Sequence, residues 1–107
     1  MIDPHFQIGL DPAGGPQGTP VVTVAGEIDP AAASQLDELL RAAGKDSRQV
    51  TVDLSAVDYL DTAGIGVLFD HAAKITLVVL LAADSLIAPV VTTGGLDRVA
   101  TVRTMDR

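Results

Sequence analysis

The chain contains no cysteine and no tryptophan, and only one tyrosine and two phenylalanines. Without cysteine it has no disulfides, no thiol chemistry and no thiolate metal ligands. So few aromatic side chains leave little on which bases or sugar rings could stack. Basic residues are also scarce: seven Lys and Arg stand against fourteen Asp and Glu, for a formal net charge of −7. A field of that sign repels phosphate backbones and anionic lipid, so nucleic acid and membrane surfaces are disfavoured partners. The most apolar run, residues 75–83, is too short to span a bilayer. The first five residues, Met-Ile-Asp-Pro-His, lack the basic and then apolar blocks of a secretory leader. A soluble, cytoplasmic protein is the expectation.

What is present is aliphatic. Hydrophobic residues make up 48% of 107 positions, too many for a disordered chain. A single domain over 1–107 with a core of Val, Leu, Ile and Ala follows. Phe6, Ile8 and Leu10 alternate with Gln7 and Gly9 as in a half-buried strand. The Pro- and Gly-rich stretch 11–18 reads as a loop, and Val21, Val22 and Val24 as a second strand ended by Gly26, hairpinned to the first. Asp29-Pro30 opens a helix: the carboxylate can accept from free N–H groups, and proline at the first helical position has no N–H to orphan. Ala33, Leu36, Leu39 and Leu40 give that helix one apolar face, Asp37, Glu38 and Arg41 stay outside, and Gly44 ends it.

Val50, Val52 and Leu54 predict a third strand, followed by a turn-like stretch over 55–61. A second helix is expected over 63–73, with Ile65, Leu68, Phe69 and Ala72 on one face. Residues 75–81 suit a central strand covered on both sides. A short third helix capped by Asp84 or Ser85 and ended by Gly94-Gly95 comes next, and an edge strand over 99–102 closes the order. Strands alternating with helices predict an α/β fold: a mixed, mainly parallel sheet of about five strands with about three helices.

Four local motifs, opening with Val21, Val52, Tyr59 and Gly94, stand in this order at 21–29, 52–55, 59–68 and 94–97. Together they resemble the STAS family, specifically its anti-sigma factor antagonists. Val-Val-Thr-Val-Ala-Gly-Glu-Ile-Asp at 21–29 is similar to that family's second strand and its G-E-I-D turn. Val52-Asp53-Leu54-Ser55 is similar to its third strand, and Gly94-Gly95-Leu96-Asp97 to its T-G-L-D segment. Tyr59-Leu60-Asp61-Thr62-Ala63-Gly64-Ile65-Gly66-Val67-Leu68 resembles the D-S-S-G-L-G-V-L loop and helix. The resemblance covers roughly 21–99. It implies a bacterial module of transcription regulation and stress response that binds an anti-sigma factor, often a serine kinase, and so releases a sigma factor by partner switching. In that family the Ser before the first Gly of the loop is phosphorylated, which switches binding off. Here that position is Ala63, which has no hydroxyl. Two further departures are expected: a shortened second helix or connection, with Lys74 running straight into Ile75, and no C-terminal helix before Arg107.

Thr62 carries the neighbouring hydroxyl. Either Thr62 or Asp61 caps the second helix, or Thr62 serves as a displaced phosphoacceptor, where about −2 of added charge would repel a docked partner. The expected contact surface spans 58–66: Asp58, Asp61, Thr62, Ala63, Gly64, Ile65 and Gly66. Alternatives that use the same helix start are a phosphate- or nucleotide-sensing module and an auxiliary subunit of a membrane transporter.

Other motifs carry less. Asp61-Thr62-Ala63-Gly64 coincides with a GTPase element, but no phosphate-cradling loop precedes it. Gly64-Ile65-Gly66 lacks the third glycine of a dinucleotide fingerprint, so close helix–sheet packing explains it better. His5 and His71 are too few and too scattered for a metal site, and His71 is expected to face solvent beside Asp70. Asp53 points away from the apolar face of its strand and is expected to hydrogen-bond backbone near the 59–66 loop. No nucleophile, base and orienting acid stand together, so a binding module without cofactor, and not an enzyme, is the expectation.

Overall fold

The computed structural model describes residues 6–105; His5 lies outside them. Ten elements follow in chain order, among them strands β1 (Phe6–Asp11), β2 (Val21–Ile28), β3 (Gln49–Leu60), β4 (Thr76–Ala82) and β5 (Thr101–Met105). The helices are α1 (Pro30–Ala43), α2 (Thr62–Ala72) and α3 (Ala88–Thr93). Single 3-10 turns at Pro16–Gly18 and Leu96–Arg98 sit in the first loop and after α3. The five strands form one sheet in the order β1-β2-β3-β4-β5. β1 is antiparallel to β2, and the other pairs are parallel. The expected mixed, mainly parallel sheet is what forms.

Because each crossover steps to the next strand in the same direction, right-handed connections put all three helices on one face. Burial agrees. Val22, Val24, Val50, Val52, Leu77 and Val79 are fully buried and share one core with Leu36 and Leu40 of α1, Leu68 of α2 and Val91 of α3. On the opposite face, register aligns Val21, Thr51, Val78 and Thr101 across four strands. Val78 and Leu80 are only half-buried there, so β4 is covered on one side and not on both. Thr51, flanked by two valines on that open face, is 4% exposed, and its hydroxyl has no hydrogen-bond partner among the described residues.

α1 forms as its sequence predicts: Asp29 Oδ1 accepts from Ala32 N at 2.8 Å, and Gly44 caps the far end. The third strand is longer than its alternation suggests, because the backbone does not turn at residue 55. β3 instead takes an extra residue relative to β2 twice, once between the pairs Thr23↔Asp53 and Ala25↔Ala56 and again between Gly26↔Val57 and Glu27↔Tyr59. Each bulge shifts the side-chain phase by one. The buried series therefore runs Val50, Val52, Leu54, then Val57 and Leu60. β2 likewise continues past Gly26 to Ile28, and that glycine's φ of 95° absorbs the irregularity. At α3 neither Asp84 nor Ser85 is the cap: the helix begins after Ile87 with no side-chain cap, and Ser85 Oγ accepts from Ile87 N one turn earlier. No helix among the described residues is long and apolar enough to cross a membrane.

Candidate functional site

Two strand-to-helix junctions lie side by side, since Ile28 and Leu60 are register partners on adjacent parallel strands. Both are built the same way. Asp29 caps α1, and Asp61 caps α2 by accepting from Gly64 N at 3.0 Å. Asp61 N also donates to Ile28 O at 3.1 Å, which ties the start of α2 to the end of β2. Asp61, and not Thr62, is thus the N-cap. Thr62 and Ala63 occupy the first two helical positions, exposed, where helix N–H groups have no intrahelical partner.

Not all of 58–66 can meet a partner. Asp58, Thr62, Ala63 and Gly66 are exposed, whereas Asp61 and Ile65 are half-buried. Gly64 is buried: a Cβ there would fall 2.5 Å from Leu60 Cδ1 and 2.9 Å from Ile28 Cγ2. Its role is to let α2 approach β2 and β3. Gly66 has open space around the same position, so close packing explains only the first of the two glycines.

Between α1 and α2 runs an open groove of about 550 Å³, with Pro30, Ser34 and Ala63 toward one end and Arg41 and Lys74 toward the other. On its wall His71 is buried, contrary to the expected solvent position. Its Nε2 donates to Asp37 Oδ1 at 2.7 Å, while Arg41 donates to Oδ2 of the same carboxylate at 2.8 Å. A carboxylate only accepts, so the proton of this bond sits on the imidazole. The signal was in the spacing: Gly64, Leu68 and His71 fall on one helical stripe, all three buried. His71→Leu should fill the space but lose the bond that joins the helices. A stability loss of about 1–3 kcal/mol in urea unfolding is expected, and no loss would show that the pair contributes nothing. Asp53 also bonds locally, its Oδ1 accepting from Ser55 N at 2.9 Å and Ser55 Oγ at 2.6 Å, at the first β3 bulge and not at the 59–66 loop. Among the described residues no group of His, Asp and Glu could hold a metal.

A family model described as "Mlab, STAS domain" matches residues 14–103, nearly the whole described chain. The chain belongs to the STAS family. No curated protein matches this STAS domain by sequence. Among solved structures it is similar to an anti-sigma factor antagonist from Mycobacterium paratuberculosis, with 26% identity, TM-score 0.78, and 96% of this chain and 90% of that one covered. The Bacillus cell fate determinant SpoIIAA in its phosphorylated form superposes with TM-score 0.62 at 18% identity, covering 95% of this chain and 90% of that one. SpoIIAA in its unphosphorylated form gives TM-score 0.65, again at 18% identity, over 95% and 87%. These last two share the fold. The STAS match extends the resemblance seen over 21–99 to both sides.

Proposed function

We propose that this STAS domain is an anti-sigma factor antagonist: a non-enzymatic module that binds an anti-sigma factor at the start of α2 and so frees a sigma factor for transcription. The observation that carries the reading is the likeness to the mycobacterial antagonist, at 26% identity over nearly the full length of both chains. The exposed Thr62 and Ala63 at the capped α2 start supply a surface suited to it. Ala63 has no hydroxyl, so phosphate-controlled release by a kinase-type partner has to act through another residue. Thr62, exposed and one residue away, is the remaining hydroxyl through which charge could be added.

The test is calorimetric titration of the full chain into a panel of purified anti-sigma factors, with and without Mg-ATP. The wild type should bind one of them. Binding lost on adding ATP, with phosphate on Thr62, would restore the switch there, and binding unchanged by ATP would mark a permanently competent antagonist. Ala63→Ser should accept phosphate and then bind at least about tenfold more weakly, a change of about 1.4 kcal/mol. Binding to none of the panel, together with a nucleotide-dependent rise in Tm, would replace this reading with that of a sensing module.

A further inference from the structure

The basic residues of this molecule gather toward one pole and, among the described residues, leave the other purely acidic, a separation that follows from topology. Parallel strands β2 to β5 all point the same way, so the strand-to-helix junctions gather at one end and the helix-to-strand connections at the other. Lys45 and Arg48 lie between α1 and β3, Lys74 between α2 and β4, and Arg98 between α3 and β5. All four are therefore at the end where the parallel strands begin, interspersed with Asp11, Asp46 and Asp97. Arg41 is in the last turn of α1, toward that same end, and Arg103 lies mid-strand on the edge strand β5. The opposite end, which holds the α2 start, has Glu27, Asp29, Asp58, Asp61 and Asp84 and no Lys or Arg among the described residues. Asp29 and Asp61 are engaged as caps. Glu27 and Asp58 are exposed and pair with no base among the described residues.

This acidic pole also carries exposed apolar side chains. Tyr59 is 51% exposed and Leu86 75% exposed, the latter on the loop between β4 and α3. The β3 bulges explain Tyr59, since the second one turns Asp58 and Tyr59 outward together. Between β3 and β4 the register stops at Asp53↔Leu80, whereas β3 continues beside β2 to Leu60. The end of β3 therefore projects past β4, and a notch of about 260 Å³ opens there, lined by Ser55, Ala56, Asp58, Ala82 and Leu86 among others.

We infer that the docking surface extends from Thr62 and Ala63 across the bulged end of β3 to Leu86, and that its partner is a protein face with an apolar centre ringed by Lys and Arg. The inference rests on the proposed function and names the chemistry of the same site. Leu86 and Tyr59 supply apolar area to bury, and Glu27 and Asp58 supply the sign that selects and steers the partner. With the bases at the far end, a basic partner is also drawn in with the correct end foremost.

The test measures association and dissociation rates of the full chain with a purified anti-sigma factor from the panel, at about 50 mM and about 500 mM NaCl. The double variant Glu27→Lys with Asp58→Lys should slow association about tenfold or more at low salt, with the difference shrinking at high salt. Leu86→Ser should speed dissociation about tenfold. The opposite-pole double variant Lys45→Glu with Arg48→Glu should slow association by no more than about twofold. All these positions are exposed, and unchanged thermal unfolding confirms that each variant folds. Binding that ignores Glu27, Asp58 and Leu86, or that responds more strongly at the Lys45 pole, overturns this inference and leaves the proposed function standing. Binding to no anti-sigma factor overturns both.

Discussion

Leu54→Ala is expected to cost the fold about 2–5 kcal/mol. Leu54 is fully buried on the helix-covered face, inside the first bulge of β3, just after the last regular pair Thr23↔Asp53. Its neighbours are held from two sides, β2 through the ladder and the helices from above, so a cavity left by the missing carbons cannot close by a local shift. A loss of this size is a large fraction of the roughly 5–15 kcal/mol that holds a typical domain together. Urea unfolding should show a lower midpoint at unchanged m-value, and Tm should fall by about 10 °C or more. A loss below about 1 kcal/mol would mean that the bulged region repacks freely. That result would contradict the seating of Leu54, Val57 and Leu60 in one core.

Gly64→Val and Gly66→Ala, two residues apart on α2, should have opposite signs. At Gly64 even a Cβ would fall within 2.5 Å of Leu60 Cδ1 and 2.9 Å of Ile28 Cγ2. Leu60 can swing its terminal methyl away, but Ile28 is β-branched and fully buried, so added volume has to push α2 off the sheet. The expected cost is about 3 kcal/mol, with partner binding lost in parallel because the α2 start moves. At Gly66 a methyl meets nothing within 4 Å, and alanine restricts the unfolded chain and favours helix. A gain of about 0.5–1 kcal/mol is expected there. Equal effects at the two sites, read by the same unfolding curves, would contradict the packing described for α2.

How much of this was legible beforehand varied with the strength of the local chemistry. α1 was readable end to end because Asp29-Pro30 and Gly44 are strong boundary signals and its apolar spacing is regular. The parallel order followed from alternation of strands and helices. The end of β3 was hidden because two bulges replace the spacing of two with a spacing of three, so Leu54, Val57 and Leu60 look like a turn to any test of alternation. His71 was misplaced because its polarity outweighed its position on the Gly64–Leu68 stripe. At the site, the Asp61 cap and the Thr62-Ala63 step were visible in the residues themselves. The inferred extension of that surface to Glu27, Tyr59 and Leu86 was not, because three separate segments bring them to one end and no single segment announces it.

The strand order itself has a consequence for how the molecule is made. Every strand pairs with its immediate predecessor in the chain, so no ladder waits for a segment synthesised much later. Contacts that are near in sequence close cheaply and early. On the ribosome the hairpin of β1 and β2 can form first, and each emerging helix and strand can then be laid against a finished edge. β3 is the element on which this growth depends, because until it emerges α1 has only a two-stranded ribbon to cover.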